Sequence, residues 1–175
     1  MKSIFTQSIS MQTKKFFLTI ALALGCFAAA YSQSYSSAIG LRLGYPASLS
    51  YKQFFSEQGA IEGFLGFRSY TGYSWMNVGA TYQHHFPITG VDGLNWYVGG
   101  GASIFFWNDK NNVFVNNSDF STTSFGVLGV LGLDYKFENA PFNLSVDWMP
   151  TIFVNGYGSG FGGGYGALCV RYVIK

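Results

Sequence analysis

The stretch FGVLGVLGLDYKF, Phe125 to Phe137, carries no charge before Asp134, holds three glycines, and is too short to cross a bilayer as a helix. At odd positions Phe125, Val127, Gly129, Leu131, Leu133, Tyr135 and Phe137 form one apolar row; the even row is Gly126, Leu128, Val130, Gly132, Asp134 and Lys136. Successive side chains of a strand point to opposite faces, so this is a strand with one greasy face, although Leu128 and Val130 blur its first half. Such a face belongs either in a soluble core or against lipid. The rest of the chain has to decide which.

The beginning of the chain points outward from the cell. Lys14 and Lys15 precede FFLTIALALGCFAAA, a charged region followed by an apolar one and by the small residues Ala28, Ala29 and Ala30, which is the pattern of a cleavable export signal. We assign residues 1–32 to the signal, with Met11 an alternative start, and residues 33–175 to one exported domain. A retained anchor helix would need about 20 apolar residues, and this run is shorter. Leu24-Gly25-Cys26 is only loosely a lipobox, because Ala23 stands where leucine is expected.

Composition narrows the function classes. Without Lys2, Lys14 and Lys15 the ten basic residues fall to seven against eight acidic ones, so the exported part is nearly neutral and has no nucleic-acid footprint. Cys169 is the one cysteine beyond the signal, which rules out an intrachain disulfide framework and Cys/His metal clusters. No cofactor motif is expected to function. Aromatic residues at 19% with charged residues at 10% depart from soluble proteins, where charge makes up about a quarter. High apolar content without helical spans is the signature of a transmembrane β-barrel, which spreads its lipid-facing residues over alternate positions.

Alternation recurs along the chain. It marks strands at Ser37 to Pro46, Ala47 to Ser56, Ile61 to Ser69, Met76 to Phe86, Trp96 to Phe106, Phe125 to Phe137, Phe142 to Val154 and Tyr165 to Lys175. Eight strands of about 9 to 13 residues suit tilted crossings of a bilayer and the smallest usual membrane barrel. The expected fold is therefore all-β: an eight-stranded antiparallel up-and-down transmembrane β-barrel after a cleaved signal peptide. EQGA, PITGVDGLN and ENAP would join strands at the inner side; Pro46, TGYS, the polar run at 108–120 and NGYGSGFG would join them outside. On this layout Phe55, Phe86, Trp96, Tyr135, Phe137, Phe142 and Tyr172 form an inner aromatic girdle, and Tyr45, Phe67, Phe106 and Phe125 an outer one. Pro150 cannot donate to a ladder, so a bulge or break is expected there.

A signal, eight amphipathic strands and an ending on the last of them resemble the small outer-membrane β-barrel family of the OmpA and OmpX type. The resemblance is architectural and covers roughly residues 37–175. It implies an outer-membrane location, insertion by the barrel assembly machinery, and contact with outer-membrane lipid and lipopolysaccharide. Such chains usually end on an aromatic residue that aids recognition by that machinery; here Arg171-Tyr172-Val173-Ile174-Lys175 would give the role to Tyr172. The family's roles range over structure, adhesion, porin-like passage of small molecules and lipid modification, so the fold leaves function open.

Candidate chemistry lies in the inward rows. Arg42, Lys52, Glu62, Arg68, Asp134, Asp147 and Arg171 would share a lumen only wide enough for side chains, and so should form a salt-bridge network of four cations and three carboxylates. A gated ion path is the sharper reading of the same residues. His84 and His85 are expected at the inner interface; a lipid A deacylase would need a serine two positions on, where Pro87 and Phe86 leave none. Gly158, Gly160 and Gly163 have GxGxxG spacing without the helix a phosphate cradle requires. The outer loop offers Asp109, Lys110, Val113, Phe114, Val115 and Asp119 for a surface ligand or protein partner; no calcium-loop spacing is present. The expected function is a non-enzymatic structural or surface-interaction role, the alternatives being a narrow channel for a small or apolar solute and a lipid A-modifying enzyme.

Overall fold

The computed structural model describes residues 36–71, 73–109, 123–155 and 160–174. The expected signal segment and the loop residues Lys110, Val113, Phe114, Val115 and Asp119 lie outside the described residues. Eight strands are present among them: β1 (Ser37–Gly44), β2 (Ala47–Phe54), β3 (Gly59–Ser69), β4 (Tyr73–Pro87), β5 (Leu94–Asp109), β6 (Thr123–Lys136), β7 (Phe142–Phe153) and β8 (Gly160–Ile174). Each pairs antiparallel with its sequence neighbours, and β1 pairs with β8, from Ser37↔Ile174 to Gly44↔Ala167, to close the barrel. Among the described residues no helix is long and apolar enough to cross a membrane.

Strand ends depart from the alternation where side chains carry little signal. Register between β4 and β5 runs out to Tyr73↔Asp109, three residues past Met76↔Phe106. β8 begins at Gly160, five residues before the expected Tyr165, because Phe153↔Gly160 and Ile152↔Phe161 are already paired. Glycines pair through the backbone like any residue yet leave no apolar or polar mark in the sequence, so this ladder was invisible there. The stretch read as GxGxxG thus continues into a strand from Gly160, not a helix.

Pro150 is accommodated by both of its neighbours. Pairing of β6 with β7 is interrupted between Leu128↔Thr151 and Leu131↔Trp148. On the other side the β7–β8 register shifts between Pro150↔Gly164 and Ile152↔Phe161, which places one extra residue in β8. A missing ladder donor in a closed barrel has to be absorbed by such an irregularity, since no free edge exists to receive it.

The burial pattern answers the question posed by residues 125–137. Leu131 is 48% exposed, Val170 41% and Ile104 36%, whereas Lys52, Glu62 and Arg171 are wholly buried. The greasy rows point out and the charges point in, the inverse of a soluble core. Aromatic rings gather at the end that carries the termini, with Phe86 stacked on Trp96 at 4.3 Å, Tyr135 edge-on to Phe137 at 4.8 Å and Phe142 edge-on to Tyr172 at 5.9 Å. Toward the other end, which we term the loop end, Phe67, Phe106 and Phe125 stand exposed on the outer face.

The lumen is filled in layers. Ala38 and Val173, with Phe54 against them, plug the terminal end. Polar and charged groups follow, then Phe64, Tyr97, Leu128, Val130 and Met149, then Trp75, Phe105 and Phe153 beside Tyr73 and Trp107. Leu128 and Val130, the residues that blur the opening segment, therefore face inward and pack across the lumen. Eight strands leave only side-chain width, and these layers use it.

If the outer rows face lipid, a charge in the middle of the belt should be costly. Leu131→Arg should destabilise the barrel by about 2–4 kcal/mol, or abolish insertion. Urea unfolding of protein refolded into phosphatidylcholine vesicles, with heat-modifiable gel migration as the folding readout, checks this.

Candidate functional site

Six charged groups meet in the middle of the lumen. Alternation sends even residues of β1, β2, β3, β6 and odd residues of β5, β7, β8 inward, so Arg42, Lys52, Glu62, Asp134, Asp147 and Arg171 converge from six strands although they are far apart in sequence. Arg42 donates through Nη1 to Glu62 Oε1 at 3.2 Å and through Nη2 to Asp147 Oδ1 at 2.7 Å. Arg171 Nη2 reaches the same Glu62 oxygen at 2.5 Å. Lys52 Nζ donates to Asp134 Oδ2 at 3.2 Å.

Neutral groups connect these pairs into one network. Gln83 Nε2 donates to Glu62 Oε2 at 2.6 Å, and the Tyr97 hydroxyl donates to Asp147 Oδ2 at 2.8 Å. Arg171 also donates to Ser50 Oγ at 3.2 Å, Ser145 Oγ at 2.6 Å and Asn143 Oδ1 at 3.3 Å. Asn143 Nδ2 in turn donates to Asp134. With Gln83 from β4 and Tyr97 from β5, every strand contributes at least one member. The Lys52 ammonium lies 4.7 Å above the Tyr97 ring and the Arg42 guanidinium 5.7 Å from that of Phe64, so cations also meet aromatic faces.

Arg68 does not join, which corrects the expected count of four cations against three carboxylates. Its guanidinium lies at the loop end, 4.7 Å from the Tyr45 ring and 5.0 Å from that of Tyr70. It is six residues beyond Glu62 on β3, roughly 20 Å at the rise of a strand, too far for a side chain to span. Its withdrawal leaves three cations with three carboxylates. Exact charge balance suits a dry interior, where an uncompensated ion costs several kcal/mol.

The histidines separate. His84 points outward, its Nδ1 within 3.1 Å of the Tyr82 hydroxyl. His85, expected at the interface, is instead buried in the lumen, with Nδ1 3.7 Å from Asp134 Oδ2 and its ring stacked on Tyr97 at 4.9 Å. Adjacent residues of one strand must face opposite ways, so only one of the pair could be at the surface. Gln83, His85, Tyr97 and Asn143 were not singled out from the sequence as members of the site. Gln83 and His85 share the inward row of β4 with Thr81, and that alternation was the available signal; nothing in the sequence marked Tyr97 as polar in role.

The opening segment makes room for Tyr97. A Cβ on Gly132 would sit 2.6 Å from Tyr97 Cζ, 2.7 Å from its hydroxyl and 2.7 Å from the Val146 carbonyl oxygen. Glycine there is the slot that lets the phenol reach Asp147. Asp109, the end of β5, is paired opposite Tyr73 at the loop end.

The network should behave as a unit in stability. Glu62→Gln leaves Arg42 and Arg171 facing a neutral acceptor and should cost about 3–5 kcal/mol. Arg68→Gln, which removes contacts with Tyr45 and Tyr70 outside the ion network, should cost under about 1 kcal/mol. Parallel urea unfolding of the two variants in vesicles measures the difference.

Among known proteins, the crystal structure of the N-terminal β-barrel domain of Pseudomonas aeruginosa OprF is similar, with a TM-score of 0.57 and 18% sequence identity, covering 79% of this chain and 94% of that one. No protein-family model matches the chain, and no curated protein sequence does. The likeness is one of fold: the chain forms a closed eight-stranded antiparallel barrel, and the OprF domain is a β-barrel of similar structure.

Proposed function

We propose that this protein is a small non-enzymatic barrel of the outer membrane, with a structural or surface-interaction role exercised at its loop end. The observation that carries the reading is the inverted distribution of its side chains: an apolar, aromatic-rimmed outer face around a charged lumen. Water would expose that face at great cost, whereas hydrocarbon accepts it, and closure leaves no backbone edge unsatisfied. The fold shared with the OprF barrel domain supports the outer membrane as the location; insertion by the barrel assembly machinery and contact with lipopolysaccharide belong to the same proposal.

The filled lumen favours a structural role over passage of solutes. Apolar layers lie on both sides of the ion network, and the cavity between Phe64 and Phe105 measures about 20 Å³, room for about one water. Neither histidine ring has a serine hydroxyl as hydrogen-bond partner among the described residues.

Two measurements test the reading. Protease treatment of intact cells carrying a tag after Asn112 should cut the tag while sparing the barrel; protection of the tag would put the loop on the other side. In planar bilayers the purified protein should give no steady open-channel conductance, and a stable conductance would favour the channel alternative.

A further inference from the structure

His85 stands where the apolar plug of the terminal end meets the ion network. It is buried on the inward row of β4. Its ring stacks on Tyr97 at 4.9 Å and meets Phe54, which packs against the plug residues Ala38 and Val173, at 4.9 Å. Lys52 Nζ lies 4.7 Å over the same Tyr97 ring. In this setting the imidazole packs as an aromatic plate, yet it is also the side chain type whose ordinary titration falls between pH 5 and 8.

The groups that face it leave no place for a proton. Lys52 from β2, Glu62 from β3, Asp134 from β6 and Arg171 from β8 act on it electrostatically, and Tyr97 from β5 covers its ring. Lys136 follows two residues beyond Asp134 in the same row of β6, β7 brings the neutral Asn143, and β1 the apolar Ala38. The three cations of the network already match its three carboxylates, so a proton on His85 would add a fourth positive charge without a fourth carboxylate. Hydrogen bonding would not offset it. Nε2 is buried with no partner among the described residues. Nδ1 is 3.7 Å from Asp134 Oδ2, longer than a hydrogen bond, and Asp134 already accepts from Lys52 and Asn143. A buried charge held in this way is costly.

We propose that His85 is a proton-sensitive lock on the terminal half of the barrel: the neutral ring packs the lumen, and mild acid loosens the fold by driving a proton onto that ring. The unfolded chain takes up the proton below about pH 6.5 and the folded chain excludes it, so the stability is full above that pH and is lost as pH falls below it. Ordinary carboxylates stay ionised down to about pH 5, so the window above that belongs to histidine. Such a lock goes beyond the structural role above and needs no surface partner.

The sequence has two histidines, so His84→Gln leaves His85 as the single one. In that protein, untagged and refolded into phosphatidylcholine vesicles, the equilibrium constant for urea unfolding should rise about tenfold from pH 7.5 to 5.5, the ratio set by an unfolded histidine titrating near pH 6.5. Combining His84→Gln with His85→Gln should leave a change of less than about twofold. In detergent micelles the His85 Cε1 proton of the folded His84→Gln protein should hold one chemical shift across the same pH range, a readout that needs no change at His85. Heat-modifiable migration confirms folding at both pH values. A His85 signal that titrates in that range in the folded protein, pH-independent unfolding of the His84→Gln protein, or an equal tenfold loss in the folded double variant would overturn the proposal.

Discussion

Closing eight strands into a cylinder satisfies every strand edge and leaves an interior one side chain deep from each wall. All else in this protein answers to that constraint. The lumen cannot hold bulk water, so each charge placed in it has to find a counter-charge and enough hydrogen bonds to replace hydration. Glu62 meets that demand by accepting from Arg42, Arg171 and Gln83 together. Because members come from all eight strands, the network also joins the barrel across its diameter, adding to the ladder that joins it around the circumference. The net worth of such buried pairs against apolar filling is small or negative. Their value here is that they make the outward-facing register the only one compatible with paired charges.

A one-residue slip in any of the six ion-bearing strands would turn its greasy row inward and its charge to the outer face. Apolar layers strengthen that specification: Leu128 and Val130 fill the lumen next to Tyr97 and Met149, so the inner row of β6 is not simply polar. Irregularities are confined to where the constraint relaxes. The break around Pro150 begins one residue from Asp147, on the loop-end side of the ion network, and the glycines of early β8 lie further toward the loop end.

The two ends serve different chemistry. At the terminal end Ala38, Val173 and Phe54 shut the lumen with apolar groups, and rings on the outer face sit where a membrane interface would be. At the loop end the aromatic floor is topped by Tyr45, Tyr70 and Arg68, a cation held by rings in place of a carboxylate. The middle of the lumen between them is balanced in charge, three cations against three carboxylates.

Period-two alternation is a local property, and it was enough to read the strand number, the direction of each face and most of the lumen charges. Arg42, Lys52, Glu62, Asp134, Asp147 and Arg171 were all visible as polar residues in an inward row. Height along the barrel was not visible, because it depends on how strands are staggered against one another. That is why Arg68 was grouped with ions some 20 Å away, and why His85 was not matched with Asp134. Glycine gives no alternation signal, so the first five residues of β8 and the slot that Gly132 makes for Tyr97 emerged only when the neighbouring strand was in place. The chain alone thus determined which residues turn inward; closure of the sheet decided which of them meet, since pairing partners belong to strands distant in sequence and are fixed by register.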